Sequence, residues 1–261
     1  MIPCIGVLVL NRGDLLLRMV DSIDVPVERL CIVQNGSDDT VTEAIRDIAA
    51  GRNNLINKVY IERPFRNMGV APSWNSIIKS FPECEYWLIA NNDTVFLPGD
   101  LNKYHMLTVE HQFLSLVAAA NGSFSCFTIT PDIIGLVGLF DENIWPIYSE
   151  DLDYYVRMQK KGIKRINIPS DIGQSDNGSW TIRSNATYAA NNTATQQSND
   201  QYVKQKWGDS YQHNTPWDMY QSVNNDAEIA HSRLFTPYDP YRRKRHSAIW
   251  NNFEQTANRI R

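Results

Sequence analysis

The fold is decided by the stretch Tyr86-Trp87-Leu88-Ile89-Ala90-Asn91-Asn92-Asp93, in which five apolar residues lead directly into two amides and a carboxylate. A continuous apolar run of this length is typical of a strand buried on both faces of a sheet. A carboxylate at the end of such a strand can hold a divalent cation. The same residue types also close strands through local side-chain hydrogen bonds, so the spacing alone leaves a cation site and a turn equally open.

This stretch ends a series, because three other apolar runs precede it and each is followed by residues with helical spacing. The predicted strands cover residues 4–10, 30–33, 58–62 and 85–90, and the predicted helices cover residues 14–23, 38–48 and 69–81. This alternation predicts an α/β fold with a mostly parallel central sheet and helices on both faces. Ligands of such sheets bind beyond the carboxyl ends of the strands, where the chain places four polar loops.

The second half of the chain has a mixed pattern. Two strands, at residues 113–119 and 123–130, are predicted to form a hairpin around Asn121-Gly122. Beyond them we expect helices at 131–137, 151–161 and 202–207, a strand at 163–168, and a long loop from Ser175 to Asn199 that is mobile until a ligand binds. Residues 1–210 are therefore assigned to one domain, and residues 211–261, polar and aromatic and then basic, to a C-terminal extension.

Glu150-Asp151 is a second acidic landmark, at the start of the helix predicted over residues 151–161. Two adjacent, partly buried carboxylates raise the pKa of one of them, which suits a general base. Acids also stabilise the start of a helix through its dipole. Taken alone, this pair favours the helix start over catalysis.

Three other segments offer groups to a ligand. The carboxylates of Asn35-Gly36-Ser37-Asp38-Asp39 can accept hydrogen bonds from a base or a ribose, although a strand-to-helix turn with a side-chain cap explains them too. Asn67-Met68-Gly69 and Trp74-Asn75 offer a glycine for close backbone approach and an amide, or else a loop and a helix with a core tryptophan. The two glycines of residues 135–141 let an acceptor approach the backbone, or form a tight turn.

The composition is that of an ordinary globular chain with unevenly spread charge. The 261 residues are 43% hydrophobic and carry a net charge of −4, but residues 231–261 hold seven Lys and Arg against two Asp and Glu. For this tail we favour a solvated surface over peripheral contact with anionic membrane lipid or with nucleic acid. The four cysteines match no zinc pattern and are interpreted as buried thiols, which fits a soluble, cytoplasmic protein.

Taken in chain order, these segments resemble the GT-A-fold glycosyltransferases, especially the large inverting family 2 with its rhamnosyltransferase-like members. The resemblance covers roughly residues 4–170; each motif is weak alone, and five in this order are strong. The motifs are Val7-Leu8-Val9-Leu10-Asn11-Arg12, Val33-Gln34-Asn35-Gly36-Ser37-Asp38-Asp39, Arg66-Asn67-Met68-Gly69 with Trp74-Asn75, Leu88-Ile89-Ala90-Asn91-Asn92-Asp93, and Gly138-Leu139-Phe140-Asp141 with Tyr148-Ser149-Glu150-Asp151-Leu152-Asp153. The resemblance implies a GT-A (Rossmann-like) sheet and transfer of a sugar, with inversion, from a UDP-, dTDP- or GDP-sugar to an acceptor hydroxyl such as that of a glycan.

The resemblance also implies a role for each matching residue. Asp151 corresponds to the catalytic base, Glu150 to a residue that supports it or contacts the acceptor, and Asp93 to the ligand of a Mn²⁺ or Mg²⁺ ion. The residues implied to bind the nucleotide are Leu10, Asn11, Arg12, Asn35, Asp38, Asn67, Asn75 and Asn92.

Two departures from the family's pattern concern the metal. Asn91 stands where the family has its first metal-binding acid. Many members also carry a His some twenty residues past the acid pair, and this sequence has none there. Either Gln174 or Asp176 substitutes for it, or the contact is lost.

Two rival functions share some of these features. A nucleotidyltransferase on a related α/β sheet also uses strand-end acids and a metal, but such enzymes carry a Gly-rich basic loop where this chain has Asn11-Arg12-Gly13-Asp14. A non-catalytic carbohydrate- or nucleic-acid-binding module is supported only by the basic tail and the aromatic content.

Overall fold

The computed structural model describes residues 1–111, 115–118, 124–168 and 186–207, with side chains described for all of these except 115–118 and 186–194. Seven strands and seven helices lie within these ranges. In chain order they are β1 (Ile5–Val9), α1 (Gly13–Asp21), β2 (Val27–Gln34), α2 (Asp39–Ala49), β3 (Ile56–Glu62), α3 (Val70–Ser80), β4 (Trp87–Asn91), α4 (Asp100–His111), β5 (Ser115–Ala118), β6 (Cys126–Ile129), α5 (Pro131–Val137), α6 (Glu150–Lys160), β7 (Lys164–Asn167) and α7 (Ala186–Trp207).

The described strands form one sheet in the order β3-β2-β1-β4-β6-β5-β7. Strands β1 to β4 are mutually parallel, with Ile5 in register with Leu30 on one side and Leu88 on the other. Strand β6 runs antiparallel to both of its neighbours, and β7 is parallel to β5. The carboxyl ends of β1, β2 and β4 therefore lie side by side along one edge of the sheet. The predicted α/β architecture with a mostly parallel sheet is confirmed.

Helices cover both faces of the sheet because the inner strands are apolar on both sides. In β4, Leu88 and Ala90 belong to a buried cluster that includes α1, α2 and α4. Trp87 and Ile89, on the opposite face, belong to a second cluster that includes α3, α5 and α6. This two-sided burial is the reason the strands read as continuous apolar runs in the sequence.

Most predicted elements are found within a few residues of their expected limits. At the starts of two helices the reason is a local capping interaction. Asp38 caps α2, since its Oδ1 accepts a hydrogen bond from the Thr40 N–H at 2.8 Å. Thr130 caps α5 with Pro131 in the first turn, where a missing N–H does no harm. The predicted hairpin is present as the antiparallel pair β5–β6, and its turn lies outside the described residues.

The loop predicted from Ser175 to Asn199 is a wrong prediction for residues 186–199, which form the larger part of helix α7. Residues 175–185 lie outside the described ranges. Among the described side chains of α7, the buried ones are Asn199, Tyr202, Val203, Lys206 and Trp207. Two of these five, Asn199 and Lys206, are polar and give no apolar signal in the sequence.

Helix α7 packs on α6 through a third apolar cluster. Tyr202, Val203 and Trp207 of α7 meet Leu152 and Val156 of α6 there. The boundary predicted at residues 210/211 and the extension beyond it lie outside the described residues and stay predictions. Within the described ranges, no helix combines the length and apolar character needed to cross a bilayer.

Candidate functional site

The ends of β1 and β4 are joined directly at the carboxyl edge of the sheet. The Asn92 side-chain amide, just after β4, donates a hydrogen bond to the backbone carbonyl of Asn11, just after β1, at 3.2 Å. Both residues are buried, and Asp93 beside them is only 8% exposed. This contact brings three predicted site residues together at neighbouring strand ends.

The ends of β1 and β2 approach each other even more closely. The Asn35 N–H donates to the Val9 carbonyl at 2.7 Å. One residue further along each strand, a Cβ placed on Gly36 would lie 1.8 Å from the carbonyl oxygen of Leu10. Only a glycine fits between these two backbones, so the loops after β1 and β2 form one surface.

Asn35 fastens the loop after β3 to the same edge. Its Nδ2 donates to the Ser73 hydroxyl at 2.8 Å, and its Oδ1 accepts from the Met68 N–H at 3.1 Å. Asn67 makes a local turn there, because its Oδ1 accepts from the Gly69 N–H at 2.8 Å. Both the nitrogen and the oxygen of the Asn35 amide are thus used to hold the loop after β3. The predicted contact of Asn35 with a nucleotide has to be made by its remaining hydrogen-bonding capacity or by its backbone.

Arg12 and Asp38 lie at the starts of two neighbouring helices. Arg12 precedes α1 in a left-handed backbone conformation, with φ 62°, and its guanidinium holds Asp14 through two hydrogen bonds of 2.8 and 2.7 Å. The hydrogen bond with Arg12 lowers the pKa of the Asp14 carboxyl. A Cβ on Gly13 would lie 2.1 Å from the Thr40 carbonyl oxygen, which shows how closely the starts of α1 and α2 are packed.

The segment that leads to the acid pair returns to this same edge. The Val70 N–H, at the start of α3, donates to the Pro146 carbonyl at 2.7 Å. Gly69 adopts φ 87°, and a Cβ there would lie 2.6 Å from the Trp145 ring. Because α3 begins just beyond the loop that follows β3, residues 145 and 146 are attached at the carboxyl edge, and Glu150 follows four residues later.

Asn75 supports this segment from within the core. Its Nδ2 donates to the Phe140 carbonyl at 2.9 Å and to Glu142 at 3.0 Å, and its Oδ1 accepts from the Phe140 N–H at 2.9 Å. Asn75 is fully buried. Its amide therefore fixes the Phe140 backbone and the Glu142 side chain, and its predicted contact with a nucleotide stays a prediction.

Glu150 and Asp151 open helix α6 in different environments. Glu150 is 6% exposed, and its Oε2 has no hydrogen-bond partner among the described residues. Burial, and next the charge of Asp151, raise the pKa of the Glu150 carboxyl well above its ordinary value. Asp151 is half-buried, and its Oδ1 accepts from the Leu152 N–H at 2.8 Å. The pair thus combines a carboxyl that tends to keep its proton with one that remains accessible.

A buried charge network behind the acid pair was not foreseen from the sequence. The Lys206 ammonium of α7 bonds Asp141 at 2.6 Å and Asp153 at 2.7 Å. Asp153 also accepts from Arg157 at 3.1 Å and from the Trp207 indole N–H at 2.8 Å. Two acids and two bases are thereby neutralised inside the protein. The only signal in the sequence was the i,i+4 spacing of Asp153 and Arg157.

The donor set at Asp93 fits one kind of metal site. No group of three or more His, Cys, Asp or Glu side chains in the described part of the chain is arranged to hold an ion. At the end of β4 there are one carboxylate, Asp93, and the amides of Asn91 and Asn92. Mg²⁺ bound together with phosphates needs only one or two carboxylates. These residues therefore fit a cation shared with a diphosphate, and do not form a cage of protein ligands. Gln174 and Asp176 lie outside the described residues.

Comparison with known proteins gives a fold and no family. No protein-family model matches the chain, and no curated protein matches it. Among solved structures, the mannosyltransferase PcManGT from Pyrobaculum calidifontis, in complex with GDP-Man and Mn²⁺, superposes with a TM-score of 0.58 at 13% identity, over 94% of this chain and 72% of that one.

S. aureus TarS gives a second likeness. TarS 1–349 in complex with UDP-GlcNAc matches with a TM-score of 0.50 at 15% identity, over 69% of this chain and 60% of that chain. A longer TarS structure matches with a TM-score of 0.51 at 15% identity, over 66% of this chain. The present chain spans only 36% of that longer TarS chain. At such identities the likeness shows the α/β fold alone.

Proposed function

We propose that this chain is an inverting glycosyltransferase that moves a sugar from a nucleoside diphosphate sugar to an acceptor hydroxyl, such as that of a glycan. The observation that supports it most is the hydrogen bond from Val70 to Pro146, because it attaches the segment of the acid pair to the start of α3, at the same edge of the sheet as Asn11, Asn92 and Asp93. The fold shared with a mannosyltransferase bound to GDP-Man agrees with this activity.

In this proposal the nucleotide binds along the edge formed by β1, β2 and β4. Leu10, Asn11, Arg12 and Asp38 lie on the loops after β1 and β2, beyond the carboxyl ends where ligands of such sheets bind. The bound nucleotides of the structural relatives, GDP-Man and UDP-GlcNAc, are of the predicted class. We propose a UDP-, dTDP- or GDP-sugar as the donor.

The chemistry assigned to the acid pair is a single displacement. Asp151 accepts the proton of the acceptor hydroxyl as its oxygen forms a bond to the anomeric carbon. The bond from that carbon to the diphosphate oxygen breaks, and the nucleoside diphosphate leaves with the electron pair. Glu150, whose carboxyl tends to stay protonated, adds no second negative charge beside Asp151 and leaves it as the base.

Asp93 is proposed to hold a Mn²⁺ or Mg²⁺ ion shared with the donor. When bound, such an ion offsets the negative charge that develops on the departing diphosphate. The residues of this chain contribute one carboxylate next to two amides, so the affinity for the ion depends on the nucleotide being present.

Sugar transfer is tested by the release of UDP, dTDP or GDP from a panel of nucleotide sugars with Mn²⁺, with a panel of oligosaccharides and with water as acceptors. We expect Asp151→Asn to lower kcat by about 10²- to 10⁴-fold, the usual contribution of a general base. Asp93→Ala is expected to abolish the Mn²⁺-dependent thermal stabilisation by UDP or GDP.

The matched control is Asp132→Asn, which changes an exposed acid in the first turn of α5. It should match the wild type in both assays. Full turnover by both site variants would overturn the assigned roles. Release of pyrophosphate from a nucleoside triphosphate and a sugar phosphate would instead indicate a nucleotidyltransferase, and no binding of any nucleotide sugar would indicate a non-catalytic module.

A further inference from the structure

Two residues directly before the acid pair have an unusual backbone. Tyr148 and Ser149 have φ values of 75° and 74°, and both lie in the left-handed region that residues other than glycine rarely adopt. Ser149 is the N-cap residue of α6, yet its side chain makes no capping hydrogen bond to the helix. Conformations of this kind persist only where surrounding structure holds them.

Helix α7 holds this pair through two consecutive side chains. The Asn199 amide donates to the carbonyls of Ile147 and Tyr148 at 2.9 and 3.1 Å. The Ser149 hydroxyl donates to the Asp200 carboxylate. One side-chain amide therefore orients the peptide groups on both sides of Tyr148, and the next residue of α7 takes the hydroxyl that would otherwise cap α6.

The holding groups are themselves firmly placed. Asn199 is fully buried, and the following turns of α7 are anchored by Tyr202, Val203 and Trp207 in the apolar cluster with α6. Rotation of the peptide groups at residues 147–149 would change the direction in which Glu150 and Asp151 leave the backbone. General bases must lie within hydrogen-bond reach of the proton they take, and a misplacement of about 1 Å costs about 10²-fold in rate.

We infer that Asn199 and Asp200 are positioning residues for the reaction, which act through the Tyr148–Ser149 backbone to set the orientation of Asp151. This inference rests on the proposed function. In this inference Asn199 and Asp200 of α7 affect the rate of the reaction without touching the reacting atoms. They set the position of the base and have no part in binding the donor.

The test compares variants that differ by single atoms. Asn199→Asp keeps the shape of the side chain, removes both N–H donors and sets a carboxylate against two carbonyls. Asn199→Ala removes the donors without adding charge, in case the first variant fails to fold. Asp200→Ala removes the carboxylate that accepts the hydrogen bond of the Ser149 hydroxyl. Gln205→Ala, at an exposed position of α7, is the matched control.

The readout is kcat for release of the nucleoside diphosphate, together with the Kd for UDP or GDP with Mn²⁺, well below the melting temperature of each variant. Asn199→Asp and Asn199→Ala should lower kcat at least tenfold and leave the Kd within twofold of the wild type, because the nucleotide loops lie on other elements. Asp200→Ala should likewise lower kcat, at least threefold, without changing the Kd, and Gln205→Ala should keep kcat within twofold of the wild type.

If a variant lost activity only because part of it is unfolded, the fraction of protein that binds the nucleotide would fall together with the rate. The kcat per folded molecule would then be unchanged. A kcat for both Asn199 variants within twofold of the wild type would overturn the inference and leave the proposed function standing. A wild-type protein that releases no nucleoside diphosphate from any donor would overturn the proposed function, and the positioning role with it.

Discussion

Replacing Lys206 by Met removes the ammonium group that joins Asp141 and Asp153 and keeps most of the length of the side chain. All three side chains are at most 2% exposed. Without Lys206, Asp141 retains the Tyr202 hydroxyl at 2.7 Å and the Asn143 N–H at 2.9 Å, but no cation. One carboxylate charge is therefore left in the core without compensation.

The expected loss is a large part of the total stability. Breaking a buried ion pair by removing one partner destabilises proteins by about 3–5 kcal/mol, and domains are stable by only about 5–15 kcal/mol. Asp153 keeps Arg157 at 3.1 Å, so most of the loss is assigned to Asp141. We expect Lys206→Met to lower the free energy of unfolding at pH 7 by about 3–5 kcal/mol.

The difference in stability between the wild type and Lys206→Met should depend on pH in a definite direction. Burial and the charge of Asp153 raise the pKa of Asp141, but the charge and hydrogen bond of Lys206 and the hydrogen bond of Tyr202 together outweigh them and lower it from its ordinary value of 3.8. The wild type therefore keeps this contribution at every pH above that value. In Lys206→Met no cation offsets burial and the charge of Asp153, and the pKa of Asp141 rises. The stability gap between variant and wild type should therefore narrow as the pH falls from 7 to 5, by at most about 1.4 kcal/mol per pH unit for one proton.

Urea unfolding followed by tryptophan fluorescence at pH 5, 6 and 7 measures these gaps. Lys204→Met, two residues away on an exposed position of α7, should change stability by less than about 0.5 kcal/mol. The double variant Asp141→Asn/Lys206→Met should recover much of the loss, since the amide oxygen can accept from Asn143 and the amide N–H can donate to the Tyr202 hydroxyl oxygen. A Lys206→Met protein within 1 kcal/mol of the wild type at pH 7, or a gap that grows on acidification, would refute the reasoning.

Two further predictions concern the edge of the sheet and the acid pair. Gly36→Ala places a methyl group 1.8 Å from the Leu10 carbonyl oxygen, so we expect a fall in melting temperature and loss of stabilisation by UDP or GDP. In the control variant Gly135→Ala no atom lies within 4 Å of the new Cβ, so neither property should change. A similar effect of both variants would contradict the steric explanation. The folded protein keeps the Glu150 carboxyl protonated, whereas the unfolded chain releases this proton above the ordinary pKa of 4.5. The free energy of unfolding of the wild type should therefore fall with rising pH above 4.5, by up to about 1.4 kcal/mol per pH unit. Glu150→Gln should remove this slope in urea titrations, and an unchanged slope would show that Glu150 ionises as it does in the unfolded chain.

The alternating first half of the chain was predictable because its strands are buried on both faces. Runs such as Ile5–Val9 and Trp87–Asn91 carry an apolar signal that hardly depends on the rest of the protein. The turn chemistry was equally local, since Asp38 caps α2 as an acid at that position is expected to do. The polar loops at the strand ends followed from the topology alone.

The sequence missed helix α4 and residues 186–201 of α7, whose last six residues were predicted as a helix, and both helices bury polar residues. Helix α4, for which the sequence predicted no element, buries Asp100 and Thr108 alongside Leu101 and Tyr104. Helix α7 is fastened by Lys206, whose partner Asp141 lies 65 residues away. Neither contact leaves a periodic trace in the sequence, because buried polar residues look like surface residues until their partners are known.

Within the site, the sequence identified residue types but not their partners. Asn35 and Asn75 were predicted as ligand-binding amides, and both use their amides to tie parts of the chain together. Both are buried, and each supports a loop at the edge where a nucleotide is proposed to bind. A buried amide and a ligand-binding amide have the same signature in a sequence, and only the contacts distinguish them.

The long separation between Lys206 and its two carboxylates has a consequence for biosynthesis. Asp141 and Asp153 leave the ribosome well before Lys206 does, and until then Arg157 pairs with Asp153 while Asp141 lacks its ammonium partner. A chain that has not yet reached residue 206 therefore cannot bury both acids cheaply. We expect the parallel strands β1 to β4 to assemble first during translation, and the segment that carries Glu150 and Asp151 to gain its final packing only once α7 has emerged.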